Sequence, residues 1–361
     1  MHNYQYQRIV VKIGSNVLAE KDGTLDLTRM SALVSQLATL HKAGVEVILV
    51  SSGAVASGRS ELNIDKKLDA VSARQVFSAV GQVKLMNHYY DLFQKQGIFC
   101  GQVLTTKENF GSRRHYLNQK NCMQEMLALK VIPIVNENDT ISVTELMFTD
   151  NDELSGLIAS MMDAQVLIIL SNIDGIYNGD PTDSTSVVIR EVHANKSIAQ
   201  YIQAEKSSFG RGGMLTKTTI ARKVADEGIA VIIANGKKDN ILPGLLLKGS
   251  TTVCTKFIAN PKEVSSVKKW IAHSNSFAKG EVHINAGAAD ALMKSKASSL
   301  LFVGVTSIKG DFEKDDIIKI CNEEGVVIGV GKVRYDSEKA RQSVGKKGLR
   351  PLVHYDYLYL D

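Results

Sequence analysis

Two lysines stand where a lysine needs a reason. Lys12 closes the apolar run RIVVKIG (8–14), and Lys217 ends the glycine-rich stretch SSFGRGGMLTK (207–217). An ammonium at the end of an apolar strand calls for an anionic partner or a route to water. Gly14, Ser15 and Asn16 follow Lys12, and such small residues let a phosphate approach the backbone closely. Gly210, Gly212 and Gly213 permit positive φ and present bare N–H groups ahead of a helical run. Lys217, one turn into that run, can lean back toward an anion at the helix start. Ser51, Ser52 and Gly53 in VSSGAVASGR (50–59) repeat the arrangement of strand end and helix start. Between these segments, NENDTISVTELMFTDNDELSG (136–156) crowds Asn136, Glu137, Asn138, Asp139, Asp150, Asn151, Asp152 and Glu153 at the two ends of one connection. Carboxylates and amides converging on a cleft can bind an ammonium group, orient lysines or hold magnesium. Taken singly, each stretch also fits an N-cap, a turn or a glycine hinge.

These residues suit phosphate handling, yet no Walker loop is present. Thr216 stands where G-x-x-x-x-G-K-[ST] needs a glycine, and the pairs Gly236-Lys237, Gly331-Lys332 and Gly345-Lys346 lack the glycine five places earlier. The spacing in 136–156 is wrong for an EF-hand calcium loop, whose glycine is missing.

The elements that must position these groups follow from hydropathy. Short apolar runs (RIVVKIG, VEVILVSSG, GIFCGQVLTT, VIPIVNEND, QVLIILSN, IAVIIAN) alternate with longer amphipathic segments, including helices near 68–96 and 113–129. Near-continuous apolar strands separated by helices predict a mainly parallel sheet covered on both faces, an α/β class fold built as a three-layer α/β/α sandwich. Polar residues cluster just after four of these strands, and ligands of open α/β sheets lie beyond the carboxyl ends of the strands. Those four strand ends should share one cleft. After about residue 256 the pattern changes to short strand-like runs, predicting a small β domain. The expected organisation is a catalytic domain over 1–256, a linker over 257–275 and a β-barrel domain over 276–361.

Composition bounds the rest. A chain of 361 residues, 44% apolar and 22% charged, fits a globular enzyme of more than one domain. Cys100, Cys122, Cys254 and Cys321 form no C-x-x-C pair and suit a reducing compartment. No long apolar stretch follows the first charge, so neither a signal peptide nor a membrane contact is expected and the location should be cytoplasmic. The net charge of +5 is mild, but 331–350 concentrates Lys332, Arg334, Lys339, Arg341, Lys346, Lys347 and Arg350. A solvated surface is the preferred reading of that segment, with nucleic acid or an acidic partner as the alternative.

In order along the chain, VVKIGSN, VSSGAVASGR, AVGQ, VIPIVNENDT, TDNDELSGLIA, SNIDGIY and GGMLTK resemble the amino acid kinase family, and its glutamate-phosphorylating members most closely. The C-terminal runs resemble a PUA domain. The resemblance implies the amino acid kinase fold and ATP-dependent phosphorylation of the γ-carboxylate of L-glutamate, the first step toward proline. Mg2+ would be held mainly by phosphates and water. It further implies that Lys12 and Lys217 approach the transferred group from opposite sides and that Asp152 orients both. Ser52, Gly53, Asn136, Asp139, Asp150 and Asn151 would take the amino acid, with Asp139 or Asp150 suited to its ammonium. The nucleotide site would draw on Lys12, Gly14, Ser171, Asn172, Arg211, Gly212, Gly213, Met214, Leu215, Thr216 and Lys217. The family usually has threonine-aspartate at 171–172 and threonine at 211, so Asn172 and Arg211 are departures. VGKKGLRPLVH makes the end of the PUA-like region shorter and more basic than usual. Proline as feedback inhibitor, a homo-oligomer (dimer or tetramer) and RNA binding by the PUA-like domain complete the expectations. The rivals are another amino acid kinase, acting on N-acetylglutamate or aspartate, and a non-catalytic RNA-binding protein.

Overall fold

In the computed structural model β1 (Arg8–Ile13) lies at the centre of an eight-stranded sheet, flanked on both sides by parallel strands. The structure describes residues 4–20, 22–62, 68–142, 151–193, 213–261, 270–271, 278–294 and 298–360. Two compact units emerge, Met1–Lys107 with Leu117–Glu263, and Glu108–Tyr116 with Val264–Asp361.

The first unit holds β2 (Glu46–Ser51), β3 (Phe99–Thr105), β4 (Val131–Glu137), β5 (Val166–Ser171), β6 (Glu191–Val192), β7 (Ala230–Asn235) and β8 (Thr255–Phe257) beside β1. Their order is β3-β4-β2-β1-β5-β7-β8-β6. All six strands from β3 to β7 in that order run parallel, and β8 enters antiparallel to β7. Sequence pattern missed this reversed edge, because a three-residue strand carries too little periodicity to show its direction.

Every residue of β5 is buried, as are the last five residues of β1 and β2, so the continuous apolar runs are those of a sheet covered on both faces. The first helices are α1 (Ser15–Leu18), α2 (Leu27–Lys42), α3 (Ala54–Glu61), α4 (Ala70–Lys95), α5 (Lys107–Gly111), α6 (Arg113–Ala128) and α7 (Asn151–Met161). After them come α8 (Met214–Asp226) and α9 (Ile241–Leu246). On one face Ile9, Val11 and Ile13 pack with Leu33 and Leu37 of α2, Leu85, Tyr89 and Phe93 of α4, and Leu242 of α9. Lys12, one residue out of phase, points to the opposite face, where α7 packs on β1, β2, β4 and β5 and against α8. The three-layer α/β/α expectation is met.

The second unit contains β9 (Gly280–Ile284), α10 (Ala286–Lys294), β10 (Val305–Gly310), β11 (Ile317–Cys321), β12 (Val327–Val333), α11 (Ser337–Ser343) and β13 (Val353–Leu360). Its strands form a mixed sheet ordered β10-β9-β11-β12-β13, with β9 and β11 parallel. Val282, Ile284, Phe302, Ile318, Ile320 and Leu352 fill its core. Much of the basic stretch is internally neutralised: Lys332 pairs with Asp315 at 2.8 Å and Arg341 with Asp311 at 2.9 Å, while Asp336 caps α11. This supports a solvated surface there. Within the same unit Trp270 Nε1 donates to Phe110 O at 2.7 Å, and Arg113 lies over both Trp270 and Tyr116. No described helix is long and apolar enough to cross a membrane.

Candidate active site

The register aligns the carboxyl ends of β1, β2, β4 and β5. Ile13 pairs with Ser51 and with Leu170, Val50 with Val135, and each strand then turns into polar sequence. The four polar strand ends therefore lie side by side at the carboxyl end of the sheet.

Its centre is an ion-paired triad. Asp152, in the first turn of α7, receives Lys12 Nζ on Oδ1 at 2.5 Å and Lys217 Nζ on Oδ2 at 2.9 Å. The Asp152 side chain is 0% exposed and those of Lys12 and Lys217 are 6% and 12%. Burial alone would push the Asp152 carboxyl up, but the ammonium groups of Lys12 and Lys217 outweigh it and hold the carboxyl below its ordinary range. Among the described residues two ammonium groups thus share one carboxylate, approaching it from two different elements. Local packing explains the reach of Lys217. Gly156, one turn beyond Asp152, lets α8 approach so closely that a Cβ there would come within 2.9 Å of Ile220 and 3.1 Å of Val224. Ala221 and Val224 are fully buried on the inner face of α8.

Glycines flank both lysines of the triad. Gly14 N donates to Leu170 O at 3.2 Å, and a Cβ on Gly14 would sit 3.6 Å from Lys12 Nζ. Gly213 is the N-cap of α8, and the N–H of Lys217 donates back to its carbonyl at 3.3 Å. Met214, Leu215 and Thr216 form the first turn of α8, with Leu215 exposed. Ser171 ends β5 buried and donates to Asn172 Oδ1 at 3.3 Å, while Asn172 itself is exposed. Asp150, Arg211 and Gly212 lie outside the described residues.

Beside the triad lies a second, amide-rich group. Asn151 Nδ2 donates to Ser52 Oγ at 2.9 Å, to Asn136 Oδ1 at 3.0 Å and to Ser51 O at 3.2 Å. Gly53 begins α3 at φ 117°, a conformation costly for any residue with a Cβ. Asp139 is joined there by residues that sequence reasoning missed. Arg74 on α4 reaches Asp139 Oδ1 from Nε at 2.8 Å and from a terminal nitrogen at 2.5 Å, and the same terminal nitrogen meets Glu137 at 3.1 Å. Ser78 Oγ donates to Asp139 Oδ2 at 3.3 Å, and Gln82 Oε1 accepts from Asn136 Nδ2 at 2.9 Å. Arg74, Ser78 and Gln82 recur every four residues and thus share one helix face. That polar interruption above the apolar Leu85, Tyr89 and Phe93 is the signal that could have found them.

One cluster of metal-ligand type lies elsewhere. Among the described residues Glu281, His283 and Cys321 of the second unit bring one potential ligand atom each within 4.8 Å of one another. Lys319 stands 3.8 Å from Glu281, and Lys309 is its register partner on β10, so ammonium charge already attends that carboxylate. At the triad both Asp152 oxygens are taken by lysines.

The chain resembles known proteins over most of its length. The family model described as "Amino acid kinase family" matches residues 7–235, and that described as "PUA domain" matches residues 280–354. A protein of Bacteroides thetaiotaomicron named glutamate 5-kinase is 69% identical over 99% of this chain and 99% of its own. One from Chlorobaculum tepidum with the same name is 50% identical over 98% of each chain. Among solved structures, the carbamate kinase from Giardia lamblia bound to AMP-PNP is similar at a TM-score of 0.50 and 15% identity. That likeness covers 71% of this chain and 99% of that one, and concerns the fold alone.

Proposed function

This chain belongs to the amino acid kinase family, and from that premise we propose that it transfers the γ-phosphoryl group of ATP to the γ-carboxylate of L-glutamate, giving L-glutamyl 5-phosphate. The observation that carries the reading is Asp152 held between Lys12 and Lys217 at the strand ends. A glutamate side-chain carboxyl in water titrates at about pH 4.3 and is ionised at neutral pH, so it attacks without a general base. One carboxylate oxygen forms a bond to the γ-phosphorus while the bond from that phosphorus to the β,γ-bridging oxygen breaks, and ADP leaves with the electron pair. The protein must align the two partners and neutralise charge on the transferring group. Lys12 and Lys217 supply that charge, and Asp152 fixes where they stand.

The nucleotide fits beside Gly14, Ser171, Asn172 and the start of α8. Mg2+, when bound, supplies further charge neutralisation on the phosphates. The donor set fits an ion that arrives with the nucleotide, because the carboxylate at the transfer site is already engaged. Ser52, Asn136, Asn151 and Asp139 hold the amino acid, with Asp139 taking its ammonium. Proline carries the same α-carboxylate and a cationic amine, which supports feedback inhibition at that pocket. Val76, Val80, Val83 and Tyr90 are exposed along one side of α4, an apolar stripe that supports a homo-oligomer.

The test is ATP-dependent hydroxamate formation, with hydroxylamine trapping the acyl phosphate, over L-glutamate, N-acetylglutamate and L-aspartate. Signal with glutamate alone, lost in Lys217→Ala, supports the reading. Signal with one of the other acids moves the substrate assignment. Silence with all three, from folded protein supplied with magnesium, sinks it and returns attention to the non-catalytic alternative.

A further inference from the structure

Gln82 carries a buried amide whose orientation follows from its neighbours' donors alone. The backbone N–H of Glu137 can only donate, and it meets Asn136 Oδ1 at 2.9 Å. Asn151 Nδ2 donates to the same oxygen at 3.0 Å. Asn136 must then turn its nitrogen toward Gln82, whose Oε1 accepts at 2.9 Å. One end of Gln82 is thereby fixed as oxygen, and the other is an N–H2 group. Gln82 is 8% exposed, and its Nε2 is buried with no hydrogen-bond partner among the described residues. Buried donors are nearly always satisfied, and an exception at a site signals a missing acceptor.

The neighbours say what that acceptor is. An N–H2 group repels a cation and accepts nothing, so its partner carries oxygen lone pairs. Ser78, one turn earlier on the same face of α4, touches Asp139, and Arg74, two turns earlier, bridges Asp139 and Glu137. Among the described residues two carboxylates, Asp139 and Glu137, meet one guanidinium here, and a carboxylate suits an ammonium. The triad end brings two ammonium groups and is suited to the carboxylate that is phosphorylated. An α-amino acid bound between them has one polar group left, its α-carboxylate, on the same carbon as the ammonium.

We propose that Gln82 Nε2 donates to the α-carboxylate of the amino acid, so that α4 supplies a subsite selecting substrates with an ionised α-carboxylate. This rests on the kinase reading above. Gln82 is then a specificity residue as well as an anchor for Asn136.

The experiment compares L-glutamate with 4-aminobutanoate, which keeps the ammonium and the reacting carboxylate and lacks only the α-carboxylate. The KM for glutamate and the competitive inhibition constant of 4-aminobutanoate are measured, by hydroxamate formation, for the wild type, Gln82→Met and Gln82→Glu. Loss of a charge-assisted hydrogen bond predicts a rise of about 10- to 100-fold in the glutamate KM of Gln82→Met, with less effect on kcat. The 4-aminobutanoate constant should rise clearly less than the glutamate KM, because it feels only the loss of the Asn136 anchor and not the loss of a bond it cannot make. Gln82→Glu keeps the size and the acceptor for Asn136 but sets carboxylate against carboxylate, and should raise the glutamate KM further. Equal weakening of both ligands in both variants overturns the proposal and leaves Gln82 as an anchor for Asn136 only. A wild type that forms no hydroxamate from glutamate overturns the kinase reading itself, and the subsite falls with it.

Discussion

Gly58 and Gly81 bring α3 and α4 together backbone to backbone. A Cβ on Gly81 would lie 1.8 Å from Ala54 O and 2.3 Å from Gly58 N, and one on Gly58 would lie 1.8 Å from Phe77 O. Nothing at those positions can give way as the tip of a flexible side chain would. The contact sets the depth at which α4 carries Arg74, Ser78 and Gln82 over the cleft.

Gly81→Ala should therefore act at a distance. Overpacking at a rigid contact costs about 1–3 kcal/mol, a fall in melting temperature of several degrees for a domain of this size. Because α4 must shift outward, the glutamate KM should rise while the ATP KM stays near wild type. Thermal melts and two-substrate kinetics check both halves, and an unchanged glutamate KM would separate the helix contact from the pocket.

The triad predicts a pattern across three variants. Lys12→Ala and Lys217→Ala each remove a charge directed at the transferring group, and each should lower kcat by about 10²–10³-fold or more. Asp152→Asn leaves two ammonium groups close together without their carboxylate. Breaking a buried pair in this way costs about 3–5 kcal/mol, so this variant should lose stability as well as activity. Single-turnover rates with denaturant titrations distinguish the two effects.

Asp152 also fixes the sign of an acid effect. Its folded-state carboxyl lies below the ordinary value of 3.8, so around that pH the unfolded chain binds more protons. The stabilisation is fully present above the ordinary value and is lost as pH falls through the lower folded one. Melting temperature plotted from about pH 7 to pH 3 should fall less steeply at the acid end for Asp152→Asn than for the wild type. Equal slopes would mean that other carboxylates govern acid unfolding.

Arg74 offers a comparison of shape with charge. Its guanidinium spans Asp139 and Glu137, and a lysine ammonium, as a point charge, would serve one of them well. Arg74→Lys should raise the glutamate KM moderately and Arg74→Ala by about 10-fold or more, with little change for ATP. Tighter glutamate binding by Arg74→Ala would show instead that Arg74 competes with the substrate ammonium for Asp139.

What the sequence determined by itself was whatever local chemistry writes locally. The apolar runs of β1, β2, β4 and β5 named the buried strands, their polar ends lay at one end of the sheet, Lys12 and Lys217 stood out as candidate phosphate ligands, and the family resemblance singled out Asp152 from its acidic segment. The tertiary structure decided which charge meets which. Strand order β4-β2-β1-β5 places Asn136 beside Ser51 and Ser52, and the out-of-phase position of Lys12 turns it toward α7 rather than α4. Arg74 and Gln82 lie 65 and 54 positions from Asp139 and Asn136, so no local periodicity could couple them. Direct hydrogen bonds from α4 to the end of β4 and the chain after it join them. Periodicity reports which face of an element is buried, whereas the partner across that face is chosen by packing summed over the whole unit.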